Sequence, residues 1–135
     1  AAAAAQACTA IGDCLTAHQI IEQSLDSQWD SELAKLYAEC LGNDAIRQIE
    51  RAEAWLKSYP NDACLLLVLG KLCVYCELWG KAQNYLEASL SVEPSHPAHL
   101  VLAQLNERIG RSELARNHYS KGLELALKRL EAIGG

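Results

Sequence analysis

Two stretches of this chain repeat one another at a fixed offset, and that recurrence limits the fold more than any other feature. The first runs from Leu66 to Pro94, LLVLGKLCVYCELWGKAQNYLEASLSVEP. Thirty-three residues further on, Gly70 corresponds to Ala103, Ala82 to Ala115, Ser89 to Gly122 and Leu90 to Leu123. Small residues recurring at matching places mark points where two helices approach closely, because a bulky side chain there would hold the backbones apart. Upstream, Pro60 and Pro94 stand 34 residues apart, each closing a segment of helical period.

The segment fits W-x2-L-G-x2-Y…A-x3-F…P, the signature of a tetratricopeptide repeat. Leu66 stands at the Trp position, Leu69-Gly70 at the Leu-Gly pair and Cys73 at the Tyr position. Ala82 and Leu86 fill Ala-x3-Phe, and Pro94 is the closing proline. The expected fold is all-α, a tetratricopeptide-like right-handed solenoid of about four antiparallel helix pairs. One domain over 1–135 divides into pairs at about 1–27, 31–58, 62–92 and 96–133, with Gly70 facing Ala82 in the third.

In the first pair, Gly12 and Ala17 keep the spacing of a turn glycine and its small residue, and Leu15, Ile20, Ile21 and Leu25 form an apolar stripe. Asp30 can cap a helix from Ser31 to Leu41, buried through Leu33, Leu36, Tyr37 and Cys40 and closed by a left-handed cap at Gly42-Asn43. Its partner carries Ile46, Ile49, Ala52, Trp55 and Leu56. This second pair is degenerate, because Tyr37 and Gln48 occupy positions that want small residues. Asn61-Asp62 caps the third pair, and Trp79 in its turn reads as a residue tying turn to core. The fourth opens at Ser95-His96-Pro97, turns at Gly110 and ends in a long helix with a stripe of Leu123, Leu127 and Leu130.

At 135 residues the chain is long enough for one continuous core and short for two. A net charge of -5 with no cluster of Lys and Arg argues against nucleic acid. The longest apolar run, Cys64 to Gly70, falls far short of the ~20 residues of a membrane span, so direct membrane contact by this chain is not expected. The six cysteines (8, 14, 40, 64, 73 and 76) all lie in helical segments. They read as free, buried thiols in a reducing compartment rather than as a disulfide framework.

No constellation points to catalysis or a resident metal, and no cofactor is expected. Cys73-Val-Tyr-Cys76 lacks the second ligand pair of a zinc site and lies mid-helix, where a redox pair would open one. Glu107 with Arg108 and Glu113 with Arg116 read as solvated helix faces. In stacked hairpins the first helix of each pair lines the concave face. Its non-core residues are Leu67, Lys71, Val74 and Tyr75 in the third pair and Leu100, Gln104, Glu107 and Arg108 in the fourth. From these, Leu67, Lys71, Tyr75, Leu100, Gln104 and Arg108 form the candidate groove. Two cations, an aromatic face and an amide suit an extended peptide of a protein partner bearing an acidic group. The Asn of a carboxylate clamp is missing, since Lys71 and Gln104 stand in its place.

The runs AEAWLKSYPND (Ala52–Asp62) and LLLVLGKLCVYCELWGKAQNYLEASL (Leu65–Leu90), with WDSEL at Trp29–Leu33, resemble the carboxy-terminal repeat region of the HemY family. The likeness covers about Trp29 to Leu123, and LWGKA (Leu78–Ala82) with YLEASL (Tyr85–Leu90) is its most specific element. The resemblance implies a scaffold in late protoporphyrin or haem metabolism. It also implies a parent protein anchored in the bacterial inner membrane, with this soluble part on the cytoplasmic side. Two other readings stand beside it. One is a haem or porphyrin carrier using His96, His99 or His118 as an axial nitrogen. The other is a module that self-associates, as a homodimer, through the closing helix or the first one.

Overall fold

A computed structural model describes residues 1–134. Eight α-helices follow one another: α1 (Ala2–Ala10), α2 (Cys14–Ser27), α3 (Ser31–Lys35), α4 (Ala45–Ser58), α5 (Ala63–Tyr75), α6 (Trp79–Val92), α7 (His96–Arg108) and α8 (Ser112–Gly134). A single 3-10 turn, Leu36–Ala38, extends α3. The chain is an all-α solenoid of tetratricopeptide type: α1 packs on α2, α5 on α6 and α7 on α8, while α4 meets α5 and α6 meets α7 to stack one hairpin on the next.

The same local chemistry makes each hairpin. Side chains of Asp13, Asp30, Asp62 and Ser95 accept from backbone N–H groups in the first turns of α2, α3, α5 and α7, supplying partners the helix itself cannot. At the end of α1, α5 and α7 the chain reverses through one residue of positive φ: Gly12 (82°), Glu77 (60°) and Gly110 (84°). In each turn the next residue's N–H reaches back five positions, from Asp13 to Cys8, Leu78 to Cys73 and Arg111 to Asn106, at 2.8, 2.8 and 2.7 Å. That is the Schellman closure, and glycine suits it because it lacks the Cβ that crowds the left-handed region. Gly42 does not adopt this conformation, so the left-handed cap expected there is absent.

Leu65, Leu69, Leu72, Leu86, Leu102 and Leu105 form the centre of the core, all fully buried or nearly so. Gly70, Ala82, Ala103 and Ala115 are buried contact points, as the 33-residue offset requires. The group opposite Gly70 is Leu86 rather than Ala82 alone: a Cβ on Gly70 would lie 2.4 Å from Leu86 Cδ2. The offset carries through to Ser89 and Gly122. Ser89 Oγ donates to the Ala63 carbonyl (2.9 Å) at the start of α5, and Gly122 lies against the His96 carbonyl at the start of α7. Leu15 and Ile46, placed on buried stripes by their spacing, are more than half exposed.

The second pair departs from the regular hairpin. The helix expected over Ser31–Leu41 stops at Lys35, becomes the 3-10 turn and then bends toward Asp44. Side chains replace the helical donors it loses: Gln48 Nε2 donates to the Tyr37 carbonyl (2.7 Å) and His18 Nε2 to the Cys40 carbonyl (2.6 Å). Tyr37 and Gln48, the two large residues at small-residue positions, are completely buried, and α3 packs on α5 and α2 instead of closely on α4. A polar ladder spans the wider gap between α2 and α4. His18 Nδ1 lies 2.9 Å from Asp44, Arg47 donates twice to Glu22 (3.2 and 3.0 Å), and Arg51 reaches Asp26, which also accepts from Trp55 Nε1.

Cys14 and Cys40 are joined by a disulfide, Cα to Cα 5.3 Å, which corrects the expectation of six free thiols. Cross-linking residues 26 apart removes unfolded-chain entropy worth about 3.5 kcal/mol in the loop-closure view. The other four cysteines are thiols.

Candidate peptide-binding groove

The groove forms where the carboxyl halves of α5 and α7 run beside the bend that follows α3. Spacing of three and four residues turns Lys71, Val74 and Tyr75 of α5, and Val101, Gln104 and Arg108 of α7, to one side. Ala38 and Leu41 close the opposite wall, and the concavity measures about 460 Å³. Val74 and Val101 give it an apolar floor. Tyr75, 49% exposed, stands at its rim.

Four of the six sequence-derived site residues, Lys71, Tyr75, Gln104 and Arg108, therefore meet in one place. Leu67 does not: it is buried and touches a separate concavity of about 450 Å³ with Cys64, His96 and Arg129. Leu100 is exposed, outside both concavities. Glu107 turns the other way, toward Ser112 and Tyr119. Ala38 and Leu41 were hidden from the sequence because the helix assumed over Ser31–Leu41 would have carried them round a different face.

Both groove cations already have partners. Lys71 Nζ lies 3.9 Å from Glu39, and Arg108 lies 3.5 Å from Glu77 with its guanidinium 5.4 Å from the centre of the Trp79 ring. Glu39 and Glu77 are more than half exposed, so each pair is worth at most about 1 kcal/mol and an incoming carboxylate can compete for the cation. Trp79, half-buried against the core, links the turn of the third pair to the fourth.

No activated nucleophile appears near the groove. Burial raises the Cys73 thiol to about 11 and pushes Cys64 and Cys76 upward as well, which favours the protonated form over the nucleophilic thiolate. Among the described residues no three His, Cys, Asp or Glu side chains gather as a metal site, and no helix is long and apolar enough to cross a membrane.

His99 and His118, two of the three histidines considered as haem ligands, face each other with their Nδ1 atoms 2.9 Å apart. They occupy the places that Leu66 and Tyr85 hold one repeat earlier. Burial, then the charges of His118 and Lys121, hold His99 below its ordinary 6.5; burial, then Lys121, does the same to His118. The folded state thus takes up protons less readily than the unfolded chain. Stability is complete above about pH 6.5 and falls as the pH drops through that value. Urea denaturation at about pH 7.5 and pH 5.5 should show the loss, and His99→Leu with His118→Tyr should abolish that part of it.

Fold and packing together define a tetratricopeptide-like α-solenoid. No protein-family profile and no curated protein matches the sequence. Nine solved chains match the structure, among them one titled MamA MSR-1 C2, a tetratricopeptide-repeat protein. It superposes with a TM-score of 0.67 over 93% of this chain and 74% of its own, at 16% sequence identity. The likeness is one of fold.

Proposed function

We propose that this chain is a non-catalytic interaction scaffold that holds an extended segment of a protein partner along the groove between α5, α7 and the Ala38–Leu41 wall. The observation that carries the reading is the convergence of Lys71, Tyr75, Gln104 and Arg108 over an apolar floor, from two successive hairpins and a third wall. An apolar side chain fits the floor and an adjacent carboxylate fits Lys71 or Arg108, the pattern of anchored peptide recognition. Within that reading, the resemblance of Trp29–Leu123 to the HemY repeat region favours enzymes of late protoporphyrin or haem synthesis as partners and an anchored parent protein.

A photo-crosslinking residue in place of Tyr75 should trap a partner in cell extract, whereas the same residue at Val92, exposed at the opposite end of the α5–α6 hairpin, should not. Lys71→Glu with Arg108→Glu should cut the Tyr75 adduct about tenfold or more, since reversing both charges turns attraction for an acidic segment into repulsion. An adduct of unchanged yield would place recognition elsewhere.

A specific observation also favours self-association: Leu123, Leu127, Leu130 and Ile133 are 61, 50, 63 and 74% exposed along α8. Such a stripe is a pairing face for another helix. Light scattering over a concentration series should show the molar mass rising toward that of a dimer, and Leu127→Glu should return it to the monomer value.

A further inference from the structure

The Cys14–Cys40 disulfide is the one covalent cross-link among the described residues, and it holds the segment that forms the third wall of the groove. Apart from it, Leu36 to Asp44 is held by side chains rather than by a helical backbone ladder, with Tyr37 buried and its hydroxyl on Glu22. It leaves the α-helix at Lys35, and His18 and Gln48 bind its Cys40 and Tyr37 carbonyls in place of helical N–H groups. Ala38 and Leu41 flank the bend, and Glu39 between them is the partner of Lys71. Whatever moves Cys40 therefore moves one wall of the groove and one of its ion pairs.

The two sulfurs differ in access. Cys40 is 7% exposed, while Cys14, the first residue of α2, is half-buried. We propose that this disulfide is a site of reversible thiol–disulfide exchange with a dithiol reductant, and that its state sets the position of the Ala38–Leu41 wall. One thiolate of the reductant attacks Cys14 Sγ, the bond between Cys14 and Cys40 breaks, and Cys40 leaves as a thiolate that takes up a proton. The second thiol of the reductant, deprotonated, then attacks its own mixed disulfide. Cys14 is released as a thiolate at the amino end of α2, where unpaired N–H groups favour the anion, and is protonated in turn. Two electrons and two protons pass to the protein, and the reductant leaves as a disulfide. Cys64, Cys73 and Cys76, with thiol pKa values raised by burial, are poor competitors for the exchange.

The link to the groove rests on the scaffold reading, but the exchange and the wall's movement are testable without any partner. The chain purified without reductant should show four thiols to maleimide in denaturant and six after native treatment with dithiothreitol, and the reduced chain labelled under native conditions should react at Cys14 before Cys40. By hydrogen–deuterium exchange, reduction should speed the amides of Tyr37–Asp44 about tenfold or more while leaving α5 to α8 unchanged. Cys14→Ser with Cys40→Ser should show the fast pattern without reductant; if that variant fails to fold, the reduced native chain decides. Six thiols at the outset that persist after treatment with oxidised glutathione, unchanged exchange in Tyr37–Asp44, or loss of protection throughout α5 to α8 would each overturn the proposal. Loss of the Tyr75 cross-link with these results intact would count against the groove alone.

Discussion

Gly70→Leu is expected to destabilise the chain by more than about 4 kcal/mol, beyond the usual range for an overpacked core, and Gly70→Ala by about 2 kcal/mol. The alanine Cβ alone would sit 2.4 Å from Leu86 Cδ2 and 2.5 Å from its Cγ. Leu86 cannot simply swing away, since it is completely buried between α5 and its neighbours. Against this, alanine in place of glycine gains roughly 1 kcal/mol of helix propensity, which keeps the smaller substitution from being worse. The cause can be separated from a general intolerance of the site. Leu86→Ala alone opens a cavity and costs about 2–5 kcal/mol. In the double variant the new methyl group enters the space that Leu86 vacates, so the two losses should sum to clearly less than their separate values. Urea denaturation of the four proteins measures this directly. Strictly additive losses would mean that Gly70 and Leu86 do not touch.

That contact was legible in part. The small residues at a constant offset located the close approach of α5 and α6, because only a steric requirement repeats a Gly or Ala at that spacing. They could not say which large residue stood opposite. The groove was half legible for a related reason. In α5 every residue from Leu65 to Gly70, and Leu72 with Cys73, is buried, since α3, α4, α6 and α7 surround it. Along Leu65–Gly70 the helix is covered on all sides and offers no polar face from which to read a direction, so spacing alone assigns Leu67 to the groove although it belongs to the core. Leu100, its counterpart in α7, is exposed because no further hairpin covers that helix among the described residues. The bend after α3 left only an indirect sign, the misfit of Tyr37 and Gln48 in the repeat pattern. Nothing in the spacing of Cys14 and Cys40 distinguished a cross-link from two buried thiols.

Glu22→Ala should cost about 3 kcal/mol, because it removes the acceptor that lets the misfit residues of the second pair stay buried. The Tyr37 hydroxyl donates to Glu22 at 2.5 Å, and burial followed by that carboxylate holds the phenol protonated far above its ordinary range. Without Glu22 the hydroxyl would be buried with no acceptor, worth about 1–3 kcal/mol. Arg47 would lose its two bonds as well. Its side chain is 47% exposed and water replaces most of that interaction, so it adds no more than about 1 kcal/mol. Glu22→Gln retains an acceptor for Tyr37 and should lose only about 1 kcal/mol. The decisive comparison uses Tyr37→Phe, which takes away the donor that Glu22 satisfies. In that background Glu22→Ala should fall to about 1 kcal/mol, the share left to Arg47. If Glu22→Ala costs the same with and without the Tyr37 hydroxyl, the ladder between α2 and α4 is held by charge at the surface. The burial of Tyr37 would then need another explanation.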